Sequence, residues 1–377
     1  MTIQAQIVGW GRYLPSRVLT NQDLAAMVDT SDEWIRQRTG IMERRIAAPN
    51  ETTAEMSLRA AQDALRMAGI SSEDIDLIIV ATSTPDQEFP ATACILQDAL
   101  GATHAGAFDL SAGCSGFVYA LAMAGAAISA GTTRLALVVG AEKLSRIIDW
   151  SDRATCVLFG DGAGAVVLRG GEGPTGILST TLGADGSGAD LLALRPKESD
   201  DPNGRGPYIT MDGRRVFKFA TRVMASAVNR VVSEAGLSMA DLQLIIPHQA
   251  NQRIIDAACE EMGFPAEKTF SNLEYYGNTS AASIPIALCE VVEEGRLADG
   301  DLVALVAFGA GLSWAAALIR WGRVERVVWY KAFRARIVRW WATARWRMRR
   351  LARRIEIRLR RLLRRRTNRD AQDESAN

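Results

Sequence analysis

Histidine is scarce in this chain: of 377 residues only two, His104 and His248, carry an imidazole. Cysteine is little commoner, with five residues (Cys94, Cys114, Cys156, Cys259 and Cys289) and no CxxC pair among them. An odd number of scattered thiols argues against a disulfide framework, and the lack of paired spacing argues against a zinc ribbon, so a reducing compartment is expected. No uninterrupted apolar run reaches the ~18 residues that cross a bilayer. The opening MTIQAQIVGWGRYLP also lacks the basic start and long apolar stretch of a secretory signal. These absences point to a soluble, cytoplasmic body. Its apolar content of 48% suits a globular chain with two packed domains or one duplicated core.

The formal charge of +1 hides an uneven distribution. Residues 323–377 hold 19 Lys and Arg against 5 Asp and Glu, a tail of +14, which leaves residues 1–322 at −13. Such a split is a statement about partners and says nothing of fold.

The sequence echoes itself at an offset of 167 residues. GISSEDIDLIIVATS, from Gly69, returns as GLSMADLQLIIPHQA, from Gly236, and RLALVVGAE, near Leu135, returns as DLVALVAFGAG, near Leu302. Two matches at one spacing indicate duplication. Each copy reads as an amphipathic helix, a turn, a buried β-branched strand (Leu77 to Val80; Leu244 to Ile246), a small-residue helix and another buried strand. Continuous apolar strands alternating with helices predict an α/β fold with both sheet faces covered. The helix CSGFVYALAMAGAAISAG is almost free of charge and should be buried all round. The expected architecture is five-layered, α-β-α-β-α, with the halves meeting near GGEGPTG at residues 170–176, giving units of 1–172 and 173–322 followed by the tail at 323–377.

Three residues carry candidate chemistry. Cys114 follows an apolar strand (Ala107 to Leu110) and opens the charge-free helix. A helix N-terminus stabilises a thiolate, so its acidity is expected to rise, although a lone cysteine is more often a small buried hydrophobe. Gly113 and Gly116 favour the reactive reading, since they permit a tight turn and close substrate approach. His248, in PHQAN, ends a buried strand at the edge where α/β sheets gather ligands, whereas His104 falls in a polar loop and is expected at the surface. Asn278, in YYGNTSAASIP, would alone be read as a cap or turn residue.

Together with AFGAG (Phe308 to Gly311), TSDEWIRQRTGI and VLFGDGAGA (157–165), these motifs make residues 1–322 closely resemble the β-ketoacyl-ACP synthase III family of the thiolase superfamily. The resemblance implies a Cys114–His248–Asn278 triad. Cys114 would attack an acyl-CoA thioester, with backbone N–H groups of Cys114 and Ala310 as the oxyanion hole, while His248 and Asn278 would hold the enolate left when malonyl-ACP loses carbon dioxide. Neither a metal nor a redox cofactor is implied. Elongating relatives use two active-site histidines and thiolases a second cysteine near the C-terminal glycine loop; neither pattern is present here.

The same resemblance assigns Trp34, Arg38, Arg153, Phe217 and Asn251 to CoA binding. It places Lys218, Gln249, Ala250, Asn251, Gln252 and Arg253 at the carrier-protein docking rim, where basic groups suit an acidic partner. Phe89 maps to a position at which a partner subunit of a homodimer closes the acyl pocket, which implies a short primer such as acetyl. AFGAG stands where relatives often have consecutive glycines. A secondary-metabolite ketosynthase, an acyltransferase of the same fold, or a silent scaffold are the alternative functions.

The tail lies outside that resemblance. Phe333, Ile337, Trp340, Ala344, Met348, Leu351, Ile355, Leu359 and Leu362 recur every three or four residues among arginines, and Trp329, Trp340, Trp341 and Trp346 supply four of the nine tryptophans. That pattern predicts a basic amphipathic helix suited to a membrane surface or the carrier protein, with an extension lacking order, a partner helix or nucleic-acid attraction as other readings.

Overall fold

The computed structural model describes residues 3–194 and 208–322. The predicted tail helix at 323–377 lies outside the described residues.

The first half contains β1 (Gln4–Tyr13), β2 (Arg17–Thr20), α1 (Asn21–Ala25), α2 (Asp32–Thr39), β3 (Glu43–Ile46), α3 (Thr53–Ala68) and β4 (Leu77–Ala81). It continues through α4 (Thr92–Leu100), β5 (Gly106–Leu110), α5 (Gly116–Ser129), β6 (Leu135–Glu142), α6 (Arg153–Cys156) and β7 (Gly162–Gly171). The second half runs β8 (Gly176–Ala184), β9 (Leu192–Leu194), β10 (Ile209–Met211), α7 (Gly213–Glu234), β11 (Leu244–Pro247), α8 (Gln252–Met262), α9 (Leu273–Tyr276), α10 (Ser283–Glu293), β12 (Leu302–Gly309) and β13 (Ser313–Arg320).

Two sheets with the same logic form the frame. In the first, the order is β1-β7-β6-β4-β5, with β6, β4 and β5 parallel and β7 and β1 antiparallel. In the second it is β8-β13-β12-β11, with β12 and β11 parallel and β13 and β8 antiparallel. The internal echo extends to the register: Leu77 pairs with Ala136, and 167 residues later Leu244 pairs with Val303. The central helices obey it too, since α5 begins at Gly116 and α10 at Ser283.

Three apolar clusters make the layers. α5 and α10 pack between the sheets, where Leu121 and Leu288 are wholly buried; α3 and α4 cover the outer face of the first sheet, and α7 and α8 that of the second. The thiolase-like five-layered α/β architecture is therefore the one expected. β12 (LVALVAFG) is buried at every position because helices cover both its faces. A Leu121→Ala change in this middle layer would cost about 2–5 kcal/mol, the usual range for a cavity in a packed core.

Local signals fix the ends of the elements. α3 starts at a reciprocal cap between Thr52 and Glu55 and stops at Gly69 in the left-handed region. α2 (Trp34, Arg38, Thr39) and the ribbon β9–β10 (Leu192, Met211) help to wall the cavity described below.

Candidate active site

β5 delivers the chain to a 3₁₀ turn, Gly113–Ser115, that runs into α5, and Cys114 sits in that turn. The turn is possible because of two glycines. Gly113 adopts φ +54°, and a Cβ there would lie 2.9 Å from Ala310 N; a Cβ on Gly309 would lie 2.6 Å from Cys114 N. The nucleophile turn and the loop after β12 therefore touch backbone to backbone. Ser115 Oγ and Ser313 Oγ, 2.8 Å apart, staple them, and Ser313 Oγ also donates toward Ala310 O at 2.9 Å.

The expected acidity of this thiol is not what the surroundings produce. Burial pushes Cys114 up to about 12; a hydrogen bond from Ser280 pulls it down, and the nearby charge of Glu142 raises it further. The side chain is partly covered, and what it faces is the cavity described below. A helix terminus stabilises a neighbouring charge by about 0.3–1 kcal/mol, too little to offset desolvation. The resting group is a thiol.

His248 is placed by the end of β11, and its backbone N–H donates to Val306 O on β12. It is 1% exposed, and burial drives its imidazole down to about 3, so it is neutral throughout the physiological range. Nδ1 lies 2.7 Å from Ser283 Oγ, and Nε2 is buried without a partner. The same Oγ receives the Gln249 N–H at 3.4 Å and can still give its own hydrogen to Nδ1. In that arrangement Nδ1 accepts and Nε2 carries the hydrogen. The Phe308 ring packs edge-on to the imidazole, with centroids 5.4 Å apart.

Asn278 is tied to Leu158 and Gly160 by two backbone hydrogen bonds, Asn278 N to Leu158 O at 2.9 Å and Gly160 N to Asn278 O at 3.0 Å. Its Oδ1 accepts from Ser280 N at 2.8 Å. A flipped amide would set two donors against each other, so the carboxamide must present Nδ2 to the cavity. Ser280 is the only residue other than glycine, among those described, with positive φ (+49°). That backbone is strained by roughly 1–2 kcal/mol.

Cys114, His248 and Asn278 line one cavity of about 540 Å³, together with Trp34, Arg38, Phe217, Ala250, Asn251, Arg253 and Phe308. At its mouth Arg153 stacks on the Trp34 ring at 4.9 Å and donates to Asp29 O at 2.9 Å, and Arg253 lies over Phe217 at 5.7 Å. Two expected roles need correction here. Gln249 is 1% exposed with its amide bonded to Pro247 O, Phe270 O and Asn272 N, and Ala250 is 8% exposed, so neither offers a side chain to a docking partner. Asn251 caps α8 through Arg253 N and ties it to Arg38 O, while Gln252 is bonded to Asp256 and Ser271. Lys218 is exposed beside the mouth, with Arg214, Arg215 and Arg222 exposed on the same helix. Those three arginines were missed by the motif reading, though their crowding on α7 was visible in the sequence. Phe89 stands 82% exposed in the loop before α4, away from this cavity, and His104 is exposed as expected.

Two family models match: 3-oxoacyl-[acyl-carrier-protein (ACP)] synthase III over residues 108–186, and its C-terminal counterpart over residues 232–321. The β-ketoacyl-[acyl-carrier-protein] synthase III of Symbiobacterium thermophilum is 54% identical over 323 residues, spanning 84% of this chain and 98% of that protein. A synthase III of Bacillus anthracis is 52% identical over 317 residues, spanning 84% and 99%. The crystal structure of 3-oxoacyl-[acyl-carrier-protein] synthase III from Aquifex aeolicus superposes with a TM-score of 0.80 at 51% identity, covering 84% of this chain and all of that one. With a cysteine, a neutral imidazole and a carboxamide converging on one cavity in this fold, the chain belongs to the β-ketoacyl-ACP synthase III family, the condensing enzymes that begin fatty-acid synthesis.

Proposed function

We propose that the chain joins a short acyl group, delivered as its CoA thioester and preferably acetyl, to malonyl-ACP, and that Cys114, His248 and Asn278 carry the chemistry. The observation that carries this reading is a cavity with a thiol on one wall and, on the other, two neutral donors, His248 Nε2 and Asn278 Nδ2, that the protein leaves unused.

In the first half-reaction the Cys114 sulfur attacks the thioester carbonyl and CoA leaves. The backbone contact between Gly113–Cys114 and Gly309–Ala310 supports the N–H groups of Cys114 and Ala310 as the oxyanion donors. In the second, malonyl-ACP releases carbon dioxide, and the enolate oxygen receives hydrogen bonds from His248 and Asn278. A donor of this kind is worth about 3–4 kcal/mol of barrier. Because His248 is neutral, it stabilises the enolate without becoming a competing acid. Both substrates arrive as thioesters, so the scheme calls for no metal or redox group.

The mouth suits the handle of the substrates. Trp34 and Arg153 present flat faces to an adenine, and Arg38 a fork to phosphate. The exposed Arg214, Lys218 and Arg253 suit an acidic carrier protein. The exposed Phe89, near the open edge strand β5 with its exposed Phe108, supports a homodimer in which each subunit closes the other's acyl pocket; sedimentation analysis checks this. Among the described residues no helix is long and apolar enough to cross a membrane, which agrees with a cytoplasmic enzyme. For residues 323–377 we infer contact with a membrane surface from their sequence, and equal pelleting with liposomes of the full chain and of residues 1–322 would end that idea.

The deciding experiment offers radiolabelled acetyl-CoA alone and then with malonyl-ACP. Label retained on Cys114 in the first step, and carbon dioxide released only in the second, supports the scheme. Label on a Cys114→Ala protein, or transfer without carbon dioxide, would defeat it.

A further inference from the structure

We propose that Glu142 is a positioning residue for condensation: through Ser280 it holds the turn that carries Asn278 in a backbone conformation that the turn would not keep by itself. The inference rests on Asn278 serving the second half-reaction. Glu142 ends β6 and is wholly buried. Nothing in the scheme above uses it, and a carboxyl buried without partners is costly.

Its bonds make it an anchor. Thr84 Oγ1 accepts the Lys143 N–H at 2.8 Å and so gives its own hydrogen to Glu142 Oε2 at 2.6 Å. The Ser83 N–H reaches both carboxylate oxygens at 3.1 Å, and Thr82 Oγ1 lies 3.4 Å from Oε2. The group is thus fixed by the loop after β4, within its own half of the chain. Oε1 then accepts from Ser280 Oγ at 3.0 Å, across 138 positions of sequence. A carboxylate offers about four lone-pair sites, so one side chain is held by the first half while it holds the second.

What it holds is the turn 278–283. Ser280 N donates to Asn278 Oδ1 at 2.8 Å, the bond that turns Nδ2 to the cavity, and Ser283 Oγ at the far end of the turn sets the His248 ring. Both enolate donors therefore depend on where the Ser280 backbone lies. That backbone sits at φ +49°, where any residue with a Cβ is strained. A hydrogen bond to an ionised acceptor is about twice as strong as a neutral one, and this one falls on the strained residue itself. β6 meets the same turn a second time through its backbone: a Cβ on Gly140 would lie 2.1 Å from Ala281 O and 3.2 Å from Ala282 N. The strand supports the turn at Gly140 and pins its leading end at Glu142.

Two substitutions at position 280 separate a held backbone from a hydroxyl needed for its own sake. Ser280→Ala keeps the Cβ and loses the bond, so the strained backbone is released. Ser280→Gly loses the same bond but meets φ +49° without strain and needs no tether.

The test uses full-length proteins already acetylated on Cys114, so that the thiol plays no part in what is measured. They are mixed with saturating malonyl-ACP, and carbon dioxide release is timed over one turnover. Ser280→Ala is expected to slow release by about 10-fold, a fraction of the roughly 100- to 1,000-fold that follows loss of a whole oxyanion donor, with the half-saturating malonyl-ACP concentration unchanged. Ser280→Gly should stay within about threefold of wild type. Glu142→Met should lose about 10-fold as well, and adding Ser280→Gly to it should restore most of the rate, a coupling that general damage to the fold does not produce. A wild-type rate in Ser280→Ala would overturn the proposal, as would equal losses in Ser280→Ala and Ser280→Gly, or a Glu142→Met defect that Ser280→Gly leaves in place. If Glu142→Met does not fold, the two Ser280 variants decide alone. Asn278→Ala is run beside them: a wild-type rate there defeats the role of Asn278 and the tether with it, whereas a slow Asn278→Ala with a normal Ser280→Ala defeats the tether only.

Discussion

Ser283 Oγ stands 2.7 Å from His248 Nδ1 and sets which nitrogen of that imidazole carries the hydrogen. Removing the hydroxyl frees the ring to place its hydrogen on either side. Ser283→Ala should therefore reduce malonyl-ACP decarboxylation by about 10-fold, the loss of ~1.4 kcal/mol of enolate stabilisation, while acyl loading on Cys114 is unchanged. Separate rate measurements of the two half-reactions check this; equal losses would mean that the serine only supports packing.

The close approach of Gly309 to the nucleophile turn makes a second prediction. A methyl placed 2.6 Å from Cys114 N and 3.1 Å from Ser115 N must displace the turn. Overpacking of this kind costs about 1–3 kcal/mol of stability, and the shift falls on the oxyanion donors. Gly309→Ala should lose loading by roughly 100-fold, as for removal of one oxyanion donor. CoA affinity by calorimetry should stay near wild type, because the mouth is untouched.

His248 also ties stability to pH. Its folded pKa, about 3, lies below the ordinary histidine value of 6.5. Its contribution is therefore complete above pH 6.5 and is lost as the pH falls from there toward 3, because the unfolded chain binds a proton that the folded chain refuses. Over that window wild type should lose about 1.4 kcal/mol per pH unit more than His248→Phe, the linkage of one proton. Urea unfolding of both proteins at pH 6.5, 5.5 and 4.5 reads the difference, and parallel curves would refute it.

Trp34 lines the cavity with Arg153 resting on its ring. If this pair holds the adenine, Trp34→Ala should raise KM for acetyl-CoA by about 10-fold with kcat little changed, the signature of binding shared by ground and transition states. Trp34→Phe should recover part of the loss. A change confined to kcat would remove the stacking role.

Much of this could be read before folding. The 167-residue echo carried the second sheet's register, because a duplicated hydrophobic pattern imposes the same pairing: Leu77 with Ala136 and Leu244 with Val303. Cys114 and His248 were legible because each sits at the end of a strand or the start of a helix, whereas Asn278, read alone as a cap or turn residue, was picked out only by its motif's resemblance to the family. Glu142 was not, since in RLALVVGAE it reads as the last residue of a strand, and Ser280, 138 positions away, meets it only once α10 lies across β6. The tuning of Cys114 was misjudged for the same reason, a helix terminus being visible in a sequence while the depth of burial is not. Gln249 was placed at the docking rim by resemblance alone; two of its three internal bonds are made with Phe270 and Asn272, more than twenty residues away.

Duplication would be expected to give a chain two reaction centres, yet the two central helices do not start alike. At the offset that carries Gly116 to Ser283, Cys114 becomes Ala281. One copy kept the sulfur while the other turned to supplying the groups that face it. The stoichiometry follows: each polypeptide should accept a single acyl equivalent, however much donor is supplied.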